Sequence, residues 1–204
     1  MSTRAFTPVR LAVPCAAGQA GRFGLTVPCA AGQAGRFGLT CARAMSDRTL
    51  TVSWHDPAEL AARARAESGL GFLQAIVSGE LPMAPIQELL GFSLDEAEEG
   101  RVVFSLEPGE QHYNPIGSVH GGVAATLLDS AMGAAVHSTL PRGTAYVTLE
   151  LKFNLVRPIT AETGRVSAEG RVVYRGGTVA TVEGHVRDAE GKLLAHGTST
   201  CLIR

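Results

Sequence analysis

Residues 121–136 read GGVAATLLDSAMGAAV and form the one long helical candidate in the second half of the chain, running on to about His137. The stretch has no proline, and apolar residues occupy almost every side. Such a helix is expected to be buried on most faces. Ala124, Ala125, Ala131, Gly133, Ala134 and Ala135 are small, so a sheet can wrap closely around them. Asp129 is the only ionisable residue in the stretch. A carboxylate is costly to bury without partners, so Asp129 is expected either to be compensated or to face a cleft. Carboxylates in such places often carry a raised pKa and a chemical role. The bland alternative is that Asp129 pairs with an arginine or caps a neighbouring element.

Strand patterns flank the helix. Two short runs, 92–97 and 101–106, surround an acidic turn at Glu98-Glu99-Gly100. Residues 108–117 read as a loop. After the helix come four further runs, at 146–156, 164–174, 178–187 and 192–202. In the first of them Val147, Leu149, Leu151, Phe153 and Leu155 alternate with Thr148, Glu150, Lys152 and Asn154, which predicts one apolar and one polar face. Gly176-Gly177 and Asp188-Ala189-Glu190-Gly191 read as hairpin turns, so an antiparallel meander is expected. One helix packed on one antiparallel sheet is an α+β pattern.

Upstream, Asp56-Pro57-Ala58-Glu59 reads as a helix start, with Asp as cap and Pro at the first helical position. The helical pattern continues to Gly79 with a break near Gly69, and 85–90 predicts a short helix stopped by Gly91. Further upstream, residues 13–26 and 27–40 are the same fourteen letters, VPCAAGQAGRFGLT. A structural repeat drifts outside its packing positions, so a perfect copy reads as duplicated coding sequence. Met45 begins a plausible true start. A transit peptide is the sharper alternative, since no Asp, Glu or Lys precedes Asp47. The expected organisation is a disordered leader over 1–50, a helical extension over 51–91 and one folded domain over 92–204.

The 204 residues carry a formal net charge of -1, with 45% hydrophobic and 18% charged residues. That balance argues against nucleic-acid binding, which needs a basic surface. No apolar run is long enough to span a membrane. Cys15, Cys29, Cys41 and Cys201 form neither a disulfide framework nor a zinc site, and a cytoplasmic setting is expected. His112, His137, His185 and His196 show no metal-ligand spacing, so no metal and no cofactor is expected. A GxSxG elbow is absent, which disfavours a serine hydrolase.

Helix N-termini expose unpaired N–H groups and a partial positive charge. Gly121 and Gly122 let a substrate carbonyl approach there. Asp129 lies about 12 Å further along by helical rise, too far for one acyl carbon to touch both groups in one subunit. A symmetric dimer can bring the Asp of one copy to the helix start of the other.

The run Asn114-Pro115-Ile116-Gly117-Ser118-Val119-His120-Gly121-Gly122, followed by Leu127-Leu128-Asp129, resembles the signature of the PaaI-like (phenylacetic-acid-degradation type) thioesterases of the hotdog superfamily. Leu155-Val156-Arg157-Pro158 and the stretch from Asp188 through Gly191-Lys192-Leu193-Leu194-Ala195-His196-Gly197-Thr198 are also similar. The resemblance covers roughly residues 88–203. It implies a curved antiparallel sheet wrapped around one helix, hydrolysis of acyl-CoA, and dimers or dimers of dimers with shared active sites. It assigns Asp129 as the catalytic carboxylate and the Gly121 N–H as donor to the thioester carbonyl. Asn114 and His120 match residues that position the thioester or support the loop. Thr148 matches a hydroxyl that orients water. Gly122, Arg157 and Arg175 are candidate substrate contacts, the arginines for the CoA diphosphate. Two rivals are a hotdog enoyl-CoA hydratase, whose paired carboxylate and histidine motif is not found around Asp129, and a non-catalytic acyl-CoA sensor.

Overall fold

Residues 47–204 are described in the computed structural model, and Val52–Arg204 form one unit. The tandem repeat and the start at Met45 lie outside the described residues. Helix α1 spans Pro57–Ala66, and the Asp56 carboxylate caps it by accepting from Ala58 N–H at 2.8 Å. Ser68 caps α2, Gly69–Val77, by accepting from Gly71 N–H. Helix α3, Pro85–Leu90, ends at Gly91, whose φ of 69° is left-handed and favours glycine.

Strands β1 (Phe92–Glu98) and β2 (Arg101–Leu106) form the first hairpin, and helix α4 (Gly121–Ser138) follows. Then come β3 (Tyr146–Leu155), β4 (Val166–Arg175), β5 (Val179–Asp188) and β6 (Leu193–Ile203). All six strands form one antiparallel sheet in the order β1-β2-β4-β5-β6-β3. The predicted meander therefore holds for β4-β5-β6 but not for β3, which pairs with β6 at the far edge. Residues 156–165 are too long for a tight hairpin and include Pro158. They carry the chain back across the start of α4, where Val119 N–H donates to the Ile159 carbonyl at 2.8 Å.

Every strand touches α4. Leu127, Leu128, Ala131, Met132, Ala135 and Val136 are buried against the sheet. Gly170, Gly184 and Gly197 sit side by side on β4, β5 and β6. A Cβ on Gly170 would lie 2.3 Å from the Ala131 carbonyl oxygen, and one on Gly184 would lie 2.9 Å from Met132 Cγ. The sheet thus meets the helix at glycine, which allows an approach that side chains would block. Bulges on β1, β3 and β4 add the local twist that lets the sheet curve.

The far end of α4 is clasped by α2. Gly69 N–H donates to the Leu140 carbonyl at 3.0 Å, and Phe72 meets His137 edge-on at 5.8 Å. Burial holds the His137 imidazole below its ordinary pKa of 6.5, and its Nδ1 is sealed with no hydrogen-bond partner. The folded chain keeps His137 neutral where the unfolded chain has begun to bind a proton. Its contribution to stability is complete above the unfolded value and is lost as pH falls through it. Melting temperature is expected to drop between pH 7.5 and 5.5, and less so in His137→Phe. Equal slopes in the two proteins, read by thermal denaturation, would refute this.

Candidate active site

The helix start is built by the loop before it. Asn114 Oδ1 accepts from the N–H groups of Ile116 (3.0 Å) and Ser118 (3.3 Å), and its Nδ2 donates to Ser118 Oγ at 3.0 Å. Gly117, with φ of 85°, completes this tight turn. His120 is the N-cap of α4: its Nδ1 accepts from Gly122 N–H at 2.9 Å, which places the ring proton of a neutral imidazole on Nε2. Gly122 has its N–H occupied in this way. Gly121 N–H has no acceptor among the described residues, as expected for a first-turn donor.

Beside this terminus lies a cleft of about 280 Å³. Asn114, His120 and Gly121 form one wall, and Leu155, Arg157 and Pro158 form the other. The Arg157 guanidinium donates from Nη1 to the Leu193 carbonyl, which ties it to the cleft rim.

Asp129 lies elsewhere. The sequence predicts a carboxylate on a mostly buried helix, yet Asp129 itself is exposed in the single chain, on the side of α4 that the sheet leaves open. Its partner is a hydroxyl and not an arginine: Thr148 Oγ1 donates to Asp129 Oδ1 at 3.0 Å. A bulge makes this contact possible. Thr148 pairs with Cys201 and Glu150 with Thr200, so Leu149 is an extra residue and the strand's facing reverses there. Tyr146 and Thr148 face α4 before the bulge, and Leu151 and Phe153 face inward after it. Val147 and Leu149, predicted to share the buried face, are 40% and 57% exposed instead.

With this geometry in hand, comparison with known proteins is informative. A family model described as the thioesterase superfamily matches residues 116–195. A Halobacterium salinarum protein, named among esterases, is 37% identical over 99 residues, covering 46% of this chain and 64%, just under two thirds, of that protein. Human acyl-coenzyme A thioesterase 13 is 30% identical over 131 residues, covering 63% of this chain and 91% of the relative. The chain belongs to the thioesterase superfamily. A crystal structure of a phenylacetic acid degradation-related protein from Ralstonia eutropha superposes on this thioesterase with a TM-score of 0.58 at 29% identity, covering 64% of this chain and 98% of that one. The fold is the hotdog fold, the resemblance to the PaaI-like branch holds, and the enzyme is a thioester hydrolase.

Within this thioesterase the candidate residues fall into two groups. Asn114, His120, Gly121 and Arg157 share the cleft, while Asp129 and Thr148 share a hydrogen bond outside it. Arg175, at the end of β4, lines neither place. Cys201 is fully buried, and burial pushes its thiol above the ordinary value, consistent with a core role. Among the described residues no cluster of His, Cys, Asp and Glu can hold a metal, and no helix is long and apolar enough to cross a membrane.

One organising residue escaped the sequence reading. His112 is buried; its Nδ1 accepts from Gly109 N–H at 3.0 Å, and its Nε2 meets the Leu90 carbonyl at 2.9 Å. Its own carbonyl accepts from His120 N–H at 2.8 Å. His112 therefore anchors the loop that presents the helix start. The lone signal for it was a histidine eight positions before His120 in a loop otherwise poor in anchors.

Proposed function

We propose that the enzyme hydrolyses acyl-CoA thioesters to free acid and CoA in the cytoplasm, as a homodimer or dimer of dimers with shared sites, binding neither nucleic acid nor membrane. The observation that carries this reading is the pairing of two half-sites on one helix: an unoccupied Gly121 N–H at its start, and an exposed carboxylate held by Thr148 about 12 Å along by helical rise. Two antiparallel copies bring one half-site to the other. Strand β3 supports such an assembly, because it is an edge strand whose outer face carries exposed Val147 and Leu149.

In this reading the thioester carbonyl lies against Gly121 N–H, which stabilises the oxyanion as charge develops. Thr148 occupies Oδ1 of Asp129, so Oδ2 is free to act. As a general base it takes a proton from water while the water oxygen bonds to the acyl carbon. The tetrahedral intermediate then expels the CoA thiolate, which recovers the proton. As a nucleophile, Oδ2 instead attacks the acyl carbon, the thiolate leaves, and water cleaves the resulting anhydride. His120 and Asn114 position the helix start and its loop. Gly122 contributes space, since a Cβ there would lie 2.9 Å from His120 Nδ1. Arg157 stands at the cleft to meet the CoA diphosphate, and Arg175 does so only if a second copy brings it near.

The test is thiol release from a panel of acyl-CoAs by the parent and by Asp129→Asn. Enoyl-CoA hydration without thiol release would favour the hydratase, and acyl-CoA binding without turnover the sensor. Thr148→Val is expected to lower kcat by about ten- to a hundredfold with little change in KM, because it removes a positioning contact and leaves the carboxylate. An unchanged kcat in a folded variant would remove Thr148 from the site.

A further inference from the structure

A second opening, about 370 Å³, runs between the N-terminal helices and the side of α4 next to Asp129. Its walls are mostly apolar. Leu60 and Ala64 come from α1, Phe72 and Ile76 from α2, and Ala134 from α4. Two features tie it to the chemistry. Ser130, beside Asp129 on α4, lines it, and so does Tyr146, which shares the inward face of β3 with Thr148. The groove therefore ends next to the Asp129–Thr148 pair. Its volume lies in the range of about 300–1,000 Å³ usual for small-ligand sites.

The groove wall also holds an unsatisfied polar group. Gln87 on α3 is 6% exposed and lines the groove. Its Oε1 accepts from Ala84 N–H at 2.9 Å, but its buried Nε2 has no hydrogen-bond partner. A buried donor without an acceptor costs about 1–3 kcal/mol, and nearly all native examples find one. A hydrocarbon in the groove leaves Nε2 unpaired, whereas an acyl group carrying an oxygen offers the missing acceptor.

We propose that this groove receives the acyl group of the thioester and that Gln87 is its specificity-determining residue, donating from Nε2 to an acceptor oxygen on that group. The substrate class is then an acyl group with an apolar body and a hydroxy or oxo substituent. The inference rests on the thioesterase reading above. It adds that the helices before the sheet form a wall of the site.

The experiment uses the full chain and measures kcat/KM for acetyl-CoA, octanoyl-CoA, 5-oxo-octanoyl-CoA and 7-oxo-octanoyl-CoA. The parent is expected to prefer at least one oxo substrate over octanoyl-CoA by about tenfold or more, since a site built to hydrogen-bond penalises the analogue that lacks the group. Gln87→Leu is expected to bring that ratio near one while retaining turnover. Ala64→Phe, at a half-buried helix position, fills the groove from α1 and is expected to lower octanoyl-CoA turnover about tenfold relative to acetyl-CoA. Melting curves check that both variants fold. If the parent hydrolyses acyl-CoAs and loses that activity in Asp129→Asn, while these two variants leave both ratios unchanged, the groove assignment is overturned and the thioesterase site stands. If the parent releases no thiol from any of the four, both readings fall together.

Discussion

Asp129→Asn is expected to lower kcat for acyl-CoA hydrolysis by about a thousandfold or more while changing the melting temperature little. The two halves of this expectation have separate physical sources. Asn keeps the shape and can still accept from Thr148 Oγ1 through its amide oxygen, so the contact at 3.0 Å can survive. The side chain is exposed in the single chain, and surface substitutions usually change stability by no more than about 0.5 kcal/mol. An amide, however, is neither a base for water nor a nucleophile toward the acyl carbon. The uncharged loss separates chemistry from folding more cleanly than Asp129→Ala would. The measurement is thiol release together with a melting curve and the oligomeric state of both proteins. Full activity in a folded variant would show that the carboxylate is not the reacting group. Loss of both activity and assembly would instead place Asp129 in the contact between copies.

The helix and its charge were legible because they rest on local pattern. An apolar run with small residues, two glycines at its start and one carboxylate can be read without tertiary information. So could the caps, since Asp56 and Gly91 act through their immediate neighbours. The position of β3 was not legible in the same way. Its alternating pattern predicts a strand, but a partner at the far edge depends on the crossover through residues 156–165. The bulge at Leu149 was equally hidden, because Val147, Leu149 and Leu151 satisfy period-two alternation and nothing local marks where the pleat reverses. That one extra residue decides that Thr148 faces Asp129. The exposure of Asp129 was misread for a related reason. Apolar neighbours on all sides of a helix imply burial of the helix, not of every residue on it. The loop's dependence on His112 was hidden as well, since its two ring contacts, Gly109 and Leu90, are fixed only by the fold.

Gly170→Ala is expected to destabilise the fold by about 3 kcal/mol, the upper part of the range for overpacked cores. For a folded unit of this size that corresponds to a fall in melting temperature of roughly 6–12 °C. The argument is geometric. The added Cβ would lie 2.3 Å from the Ala131 carbonyl oxygen, 2.4 Å from its carbon and 2.6 Å from Met132 N. These are backbone atoms in the middle of α4, so no side-chain rotation relieves the contact. Either the helix or β4 must move, and both are packed against the rest of the sheet. Gly184→Ala makes the contrasting control. Its new Cβ meets the Met132 side chain at 2.9 Å and Leu128 Cδ2 at 3.1 Å. Met has three rotatable bonds and fills irregular space readily, so this neighbour can give way and a smaller loss is expected. The small residues on the helix are thus half of a two-sided arrangement, with glycine on the sheet as the other half. Denaturant unfolding of the two variants separates the cases. Equal losses would mean that the close approach at Gly170 relaxes as easily as a side chain, and that glycine there is not what lets the sheet close on the helix.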